Sequence, residues 1–245
     1  PVESHLHLMP VDFLLSEICS TRSVTNKQEA VELFSYSLLC KRLVHNPSYY
    51  GIQEQLEKGT VSEFLSELIE NALSSLVDRH LSIPNEFDIE PLNLGLISSF
   101  YGISTSTVDM FHSELSHSSH AKTLKKRREI LELICSSTEF DFVQVGQGEN
   151  EEMRELNEKV PYKFGSESDF YDPQIKVSLL IQCHLFRIPN GYNSNEILQL
   201  FFKLLLCLVD VCASNGQLKA TLACMEMTQS VTQALLTNES PLLQI

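Results

Sequence analysis

The chain has 245 residues, 43% of them hydrophobic, and it carries a formal net charge of −14 at pH 7. This length allows one large domain or two small ones, each with a real hydrophobic core. A strongly acidic chain is a poor autonomous binder of polyanions, because contacts to phosphate dominate nucleic-acid affinity. Any RNA-binding role therefore requires a local basic surface or a larger parent protein.

The first 90 residues are predicted to form a winged-helix domain. Asn26 is a good helix N-cap, Glu29 is placed to complete a capping box, and Pro47 ends the helix that follows. Three helices followed by a hairpin is the element order of a winged helix. The predicted helices cover residues 10–19, 26–45 and 59–79, and the predicted hairpin covers residues 81–83 and 87–89.

Residues 91–245 are predicted to form a helical bundle, so the predicted fold class is mainly α. Apolar residues recur at helical spacing through most of this region, and turn-forming residues such as Pro189 and Gly191 separate the helices. The predicted helices cover residues 92–101, 104–115, 123–136, 174–187, 196–214 and 218–236, and residues 144–150 and 165–173 are predicted to be loops.

The one basic run of the sequence extends from Lys122 to Arg128. Lys122, Lys125 and Lys126 share a face with Glu129 when they are placed at helical spacing. A solvated helix face is the more common outcome for such a run, and contact with the phosphate groups of RNA is the alternative. We keep these three lysines as candidate phosphate contacts.

The helix predicted over residues 196–214 is apolar almost all the way round. At 100° per residue its polar side chains fall within about 60° of one another. They form one thin polar stripe, which consists of Glu196, Gln199, Lys203, Asp210 and Ser214. A helix this apolar is normally buried, which favours a core helix with one solvated edge. The alternative is a helix that presents its polar stripe to a channel in which a ligand runs.

Recognisable catalytic and metal-binding motifs are missing from the sequence. It has no GxxxxGK[ST] loop and no DExH or DExD box to hold nucleotide phosphates and magnesium, and no HExxH or GxSxG motif. The seven cysteines form no CxxC pair, which indicates reduced thiols in an intracellular protein. We therefore expect no catalytic residue, no metal site and no cofactor within this chain.

Targeting and membrane signals are also missing from the sequence. The longest apolar run, residues 204–209, is too short to cross a bilayer, which predicts no membrane contact. No basic segment followed by an apolar one opens the chain, so a signal peptide is not expected. The chain opens with Pro1 instead of Met and ends abruptly, which suggests a piece of a longer protein.

Several segments together resemble one protein family. They are PVESHL at 1–6, NKQEAVELFSYSLLCKRLVHNPSYYGI at 26–52, EFLSELIENALSSL at 63–76, EPLNLGLISSFYGIS at 90–104, DPQIKVSLLIQCHLFRI at 172–188, SNG at 214–216 and VTQA at 231–234. In order and spacing they are similar to the large spliceosomal DExH RNA helicases of the Ski family. The helicase of the activating signal cointegrator complex is a close relative of that family.

The resemblance implies a position within a larger helicase. In the family this region follows the second RecA domain, and it comprises a winged helix and the helical bundle that opens the Sec-homology module. The helix at 196–214 then matches the so-called ratchet helix, and Gln199, Lys203 and Asp210 would contact single-stranded RNA, with Lys203 on a phosphate. The implied parent binds ATP and magnesium in its RecA domains and acts in the nucleus in pre-mRNA splicing. The implied partners are those RecA domains, single-stranded RNA and other spliceosomal proteins.

Three positions depart from the family pattern. Gln217 and Leu236 stand where the family usually has Trp, and Leu206 stands where a polar residue is common. Stacking aromatic residues grip a single strand of any sequence, so their replacement weakens the expected RNA contact. The departures favour a second, C-terminal cassette that acts mainly as a regulatory protein-interaction platform. Two alternatives stay open: a protein scaffold without RNA contact, and the equivalent region of the cointegrator helicase.

Overall fold

The computed structural model describes residues 2–52, 58–84, 88–116, 127–146, 148–165 and 169–235. The chain divides into two compact units, unit 1 (Pro1–Thr105) and unit 2 (Ser106–Ile245). In the described part of the chain, helices form most of the regular structure, and one two-stranded sheet accompanies them. This composition confirms the prediction of a mainly α fold.

In unit 1 polar side chains close the first turn of the helix that begins at Lys27. The Asn26 side chain accepts the Glu29 N–H at 2.9 Å, and the Glu29 carboxylate accepts the Thr25 N–H at 2.7 Å. The first contact satisfies an N–H group that a helix start leaves unpaired, and the second joins the residue before the N-cap to the first turn. The elements of unit 1 are α1 (Pro10–Ser16), α2 (Lys27–Ser35), α3 (Leu38–His45), α4 (Lys58–Asp78), β1 (Ser82–Pro84), β2 (Ile89–Pro91) and α5 (Asn93–Tyr101).

The single helix predicted over residues 26–45 is wrong, because the structure divides it into α2 and α3. The Ser37 hydroxyl donates to the Phe34 carbonyl at 2.6 Å and accepts the Cys40 N–H at 3.5 Å. Serine competes with the helix for backbone hydrogen bonds in this way, and it is therefore favoured at helix starts. The apolar spacing continues across the break, which explains why periodicity alone did not reveal it.

The core of unit 1 forms around α4, which packs against α1, α2 and α3. One face of α4 is buried, and this face carries Val61, Leu65, Ile69, Ala72 and Leu76. The other three helices contribute Leu14, Leu15, Phe34, Leu39 and Leu43, which are almost completely buried. Burial of a large apolar side chain contributes about 1.5–3 kcal/mol, so this core provides most of the stability of unit 1.

The hairpin and α5 meet at an unusually close backbone contact. Strands β1 and β2 are antiparallel, with Ser82 opposite Pro91. The Leu81 carbonyl accepts the Leu92 N–H at 2.9 Å, and a Cβ atom on Gly95 would lie 2.3 Å from that carbonyl oxygen. Only glycine allows α5 to approach this closely.

Helix α5 also packs against α1, which is why unit 1 extends past residue 90. The predicted boundary at residue 90 follows from the predicted winged-helix elements, whereas the boundary at Thr105 separates groups of packed residues. The predicted domain limits of 1–90 and 91–245 stay a prediction.

Unit 2 is a bundle in which α10 packs against α11, α7 and α9. Its helices are α6 (Thr105–Ser116), α7 (Arg127–Cys135), α8 (Glu149–Lys159), α9 (Pro173–Leu185), α10 (Asn195–Ser214) and α11 (Leu218–Gln233). Helix α8 was not predicted, because its sequence is polar at most positions. Met153 and Leu156 are enough to bury one face of α8 in a cluster with Leu179 and Cys183 of α9.

Candidate nucleic-acid interface

Helix α10 buries one face in unit 2 and leaves the polar stripe on the other side. Its buried side chains are Ile197, Phe201, Leu204, Leu205, Cys207, Leu208, Val211 and Cys212. At 100° per residue these positions cover an arc of about 160°, and every residue of the polar stripe falls outside that arc. The burial therefore agrees with the solvated edge that the sequence pattern predicts.

The three predicted RNA-contacting residues lie together on this outer side. Gln199 is exposed, whereas Lys203 and Asp210 are half-buried. Half-buried apolar side chains border the stripe, and they are Phe202, Leu206 and Val209. The surface therefore combines three polar groups with apolar neighbours, but it has no exposed aromatic ring on which a base could stack among the described residues of α10.

Charged groups of both signs lie near Cys207 of α10. Burial raises the pKa of the neighbouring Cys207 thiol to about 12, and the carboxylates of Asp210 and Glu139 add to this effect while Lys203 opposes it. All three charged groups therefore lie close enough to influence the same thiol, and each has interaction partners of its own. The Glu139 carboxylate also accepts the Thr107 hydroxyl at 2.5 Å. The stripe is accordingly a mixed-charge surface and not a cationic one.

Gln217, which stands where the family usually has Trp, has a structural contact. Its side-chain Nε2 donates to the Leu115 carbonyl at 2.7 Å, near the end of α6. In the same turn, the Asn215 Oδ1 lies 3.2 Å from the His112 Nδ1. These contacts fasten the turn after α10 to the end of α6, so Gln217 supports the position of α10 within unit 2.

Other residues that the sequence analysis singled out lie outside the described residues. They are Lys122, Lys125 and Lys126, the candidate phosphate contacts, and Leu236. The contribution of the three lysines to RNA binding stays a prediction.

By length and composition, α10 is the one helix among the described residues that could cross a membrane. Half of its most apolar stretch is buried inside the protein. Core helices of globular domains have the same length and composition. The prediction of no membrane contact rested on a shorter apolar run, and it stays a prediction.

The buried charge of unit 2 was not predicted. Among the described residues, Lys176 of α9 is the one charged side chain in the buried class. Its Nζ donates to the Glu149 carboxylate at 2.7 Å and to the Gln144 carbonyl at 2.8 Å, and it lies 5.4 Å from the centre of the Tyr192 ring. Lys176 also holds the pKa of Glu149 below its usual range. A lysine within an apolar helical run was the signal that could have revealed this cluster.

Unit 1 has a comparable polar cluster at its N-terminal segment. The Glu3 carboxylate accepts both the Nε and the Nη2 of Arg42, the Asn46 Nδ2 at 3.0 Å and the Tyr50 hydroxyl at 3.1 Å. These donors, Arg42 first, lower the pKa of Glu3 to about 2. The cluster fastens the segment before α1 to α3 and to the turn that follows it.

Metal ligation and disulfide bonding find no support in the described residues. No group of three His, Cys, Asp or Glu side chains in this part of the chain is placed to bind a metal ion. All seven cysteines are free, and the five in unit 2 are buried. Burial raises the pKa of the Cys135 and Cys207 thiols, which keeps both protonated at neutral pH.

Two protein-family models match the chain. The winged helix-turn-helix domain matches residues 3–84, and the Sec63 Brl domain matches residues 91–245. These matches confirm the resemblance drawn from the sequence segments, and they account for both parts of the predicted architecture.

Curated relatives align with the whole chain. The chain is 38% identical over 250 residues to the U5 small nuclear ribonucleoprotein 200 kDa helicase of Homo sapiens, and the alignment covers 100% of this chain and 11% of that protein. It is 37% identical to the protein of the same name in Drosophila melanogaster, covering 100% of this chain and 12% of the relative. It is 36% identical to the pre-mRNA-splicing factor brr2 of Schizosaccharomyces pombe, and the alignment covers 100% of this chain and 11% of that protein. The chain thus spans a small part of the length of these relatives.

Proposed function

The chain belongs to the Sec63 Brl domain family, and from this membership we propose that it is a non-catalytic accessory region of an ATP-dependent RNA helicase that acts in pre-mRNA splicing. The observation that carries this proposal is the alignment of the whole chain with spliceosomal helicases at 38% identity. The ATPase activity would reside in RecA domains outside this chain, which would bind ATP and magnesium. The parent protein would act in the nucleus.

The mechanical role we propose is to brace the RecA domains and to line the path of single-stranded RNA. The polar stripe of α10 supports this role, because the opposite face of the helix is buried in unit 2. Lys203 would contact a phosphate, while Gln199 and Asp210 would bond sugar or base groups. A helix that is packed against a core holds its polar groups in place more accurately than a loop does.

The charge balance around Lys203 supports a second role, as a regulatory protein-interaction platform. Asp210 and Glu139 lie in the same electrostatic environment as Lys203, and the whole chain carries a charge of −14. Each phosphate contact by a free cation releases counterions, and nearby carboxylates reduce that gain. In this role the RecA domains of the parent and other spliceosomal proteins would be the partners, and RNA contact would be weak.

The test is single-stranded RNA binding across a series of salt concentrations, with the wild-type chain beside Lys203→Glu. If Lys203 contacts a phosphate, the substitution weakens binding and lowers the slope of log affinity against log salt by about one unit. Lys219→Glu is the matched control, because Lys219 is exposed on α11 and lies outside the polar stripe. It makes the same charge change without removing the proposed contact.

Each outcome of the salt series favours one of the two roles. An unchanged slope for Lys203→Glu contradicts the phosphate contact. Equal losses in Lys203→Glu and Lys219→Glu indicate that overall charge, and not the stripe, controls binding. Absence of binding by the wild-type chain at low salt favours the protein-interaction platform.

A further inference from the structure

The longest helix of unit 1 presents an acidic surface. The exposed charged side chains described on α4 are Glu63, Glu67, Glu70 and Asp78, and all of them are carboxylates. Their spacing places them on one side of the helix, which we call the acidic face. Lys27 of α2 pairs with Glu70 at 2.7 Å, in a contact where both side chains are largely exposed.

This acidity is informative because of the position of α4 in the fold. In helix-turn-helix domains that bind DNA, the recognition helix enters the major groove. Carboxylates along the helix that precedes the hairpin would repel the phosphates that such binding requires. The acidic face of α4 therefore suits a cationic partner and not a nucleic acid.

A cavity of about 360 Å³ lies beside the C-terminal half of the acidic face. Leu73, Val77 and Ile89 provide apolar lining, while Asp78 and Ser82 provide polar groups. The Lys27–Glu70 pair borders it as well. Apolar walls with a small number of polar groups are typical of sites that bind a side chain or a small molecule.

Two polar groups of this cavity have unused hydrogen-bonding capacity. Ser82 is 2% exposed, and its hydroxyl oxygen has no hydrogen-bond partner among the described residues. Buried polar groups nearly always have a partner, so this hydroxyl is an exception that an ordered water or a donor of a bound molecule would satisfy. Asp78 is exposed at the rim, and no described residue forms an ion pair with it.

We propose that this cavity binds a basic side chain, presented by a peptide segment of a partner protein. The methylene groups of an arginine or lysine would pack on Leu73 and Val77, as the stems of these residues do on apolar surfaces. The cationic head would donate to the Asp78 carboxylate and the Ser82 hydroxyl. Arginine fits best, because its planar guanidinium has several N–H donors in a fixed arrangement. The rest of the acidic face would attract further basic residues of the segment.

The experiment measures binding of a labelled peptide, acetyl-Gly-Leu-Arg-Leu-Gly-amide with a fluorescent group, to the 245-residue chain by fluorescence anisotropy. The matched probe has citrulline in place of arginine, which keeps the shape and removes the charge. We expect the citrulline peptide to bind at least about fivefold more weakly, because a charge-assisted hydrogen bond is lost. Equal binding of the two peptides would overturn the proposal, as would the absence of arginine-peptide binding up to about 1 mM.

Variants locate the binding to the cavity. Asp78→Asn and Ser82→Ala should each weaken binding of the arginine peptide by about threefold to fivefold. Glu63→Gln is the control, because Glu63 belongs to the acidic face but lies near the start of α4 and does not line the cavity. This variant should change binding less than about twofold. If Asp78→Asn and Ser82→Ala both bind like the wild type, the peptide does not occupy this cavity and the proposal fails.

Two further measurements test the proposal without relying on variants that could misfold, and they test whether the partner is a nucleic acid. Shifts of the Leu73 and Val77 methyl signals on titration of the wild-type chain require no variant, and their absence would contradict the proposal. Single-stranded RNA added as a competitor should not displace the peptide. Displacement by RNA would show that the surface binds a polyanion, which would also overturn the proposal.

Discussion

The two units fasten their non-helical segments to their helices with different chemistry. In unit 1 the N-terminal segment brings Glu3 to Arg42 of α3, in a contact where both side chains are mostly buried. In unit 2 the polar side chains come from inside the bundle. Lys176 of α9 reaches Gln144 and Glu149, and Gln182, on the same helix, bonds both the N–H and the carbonyl of Tyr162, at 2.9 and 3.2 Å.

Because the contacts differ, the segment in unit 1 and the segments in unit 2 should be detached by different perturbations. Glu3 is a carboxylate whose charge is maintained by an arginine and two neutral donors, so protonation weakens all of these contacts together. Substitution of Lys176 or Gln182 instead leaves partner groups buried without hydrogen bonds. We therefore expect the attachment in unit 1 to be sensitive to acid. In unit 2 acid would protonate only Glu149, so the contacts of Lys176 with Gln144 and of Gln182 with Tyr162 make the attachments there sensitive mainly to substitution.

The largest effect is expected for Lys176→Met. The substitution keeps the length and apolar stem of the side chain, but it leaves the Gln144 carbonyl and the Glu149 carboxylate without their shared donor. Removing one partner of a buried ion pair destabilises a protein by about 3 kcal/mol or more, and the partial exposure of Glu149 reduces the expected loss here to about 2–3 kcal/mol. Hydrogen exchange resolved by peptide would detect this loss in α8, in α9 and in the loop between α7 and α8.

The control for Lys176→Met is Lys163→Met. Lys163 pairs with Glu158 at 2.7 Å, but both side chains are at least half exposed. Exposed pairs contribute about 0–1 kcal/mol, so this variant should behave nearly like the wild type. Similar losses in the two variants would contradict the view that burial makes the attachment in unit 2 sensitive to substitution.

An intermediate effect is expected for Gly95→Ala in unit 1. The new methyl group would lie 2.3 Å from the Leu81 carbonyl oxygen, so α5 and the hairpin must move apart. Overpacking of this kind lowers the free energy of unfolding by about 1–3 kcal/mol. Urea denaturation followed by circular dichroism would measure the change.

Gly191→Ala in unit 2 is the matched control for Gly95→Ala. No atom lies within 4 Å of the position that its Cβ would occupy, so the stability should change little or should rise slightly. If Gly95→Ala is as stable as the wild type, the close approach of α5 to Leu81 is not required for the fold of unit 1.

The last prediction concerns how the stability of unit 1 depends on pH through Glu3, and it requires no change at neutral pH. Its pKa is about 2 in the folded chain against an ordinary value of 4.5. The folded state therefore favours the ionised carboxylate, and the stabilisation is fully present above about pH 4.5 and is lost as the pH falls through about 2. A titration of the Glu3 carboxyl carbon by NMR would measure this pKa directly.

Arg42→Gln tests the cause of the low pKa, because it removes the donor that lowers the pKa of Glu3 most, while Asn46 and Tyr50 remain. The pKa of Glu3 should then rise towards its ordinary value. If Arg42→Gln leaves the titration of Glu3 unchanged, the neutral donors and not the arginine hold the carboxylate ionised.

Short-range features of the fold could be predicted from the sequence. Apolar spacing located α4, α9, α10 and α11 to within a few residues, because that spacing depends on neighbours in the same helix. The Asn26 cap was correct for the same reason. The break at Ser37 and the polar helix α8 were missed, because hydrogen bonding and packing with other segments outweigh periodicity there.

The candidate site shows the same division between local and distant causes. Helical spacing alone placed Gln199, Lys203 and Asp210 on one side of α10, opposite its buried face. The charge balance at Lys203 depends on Glu139, which comes from a distant turn, and the unpaired hydroxyl of Ser82 depends on the packing of the hairpin beside α4. Spacing along a helix is a property of neighbouring residues, whereas charge balance and burial are properties of residues that folding brings together.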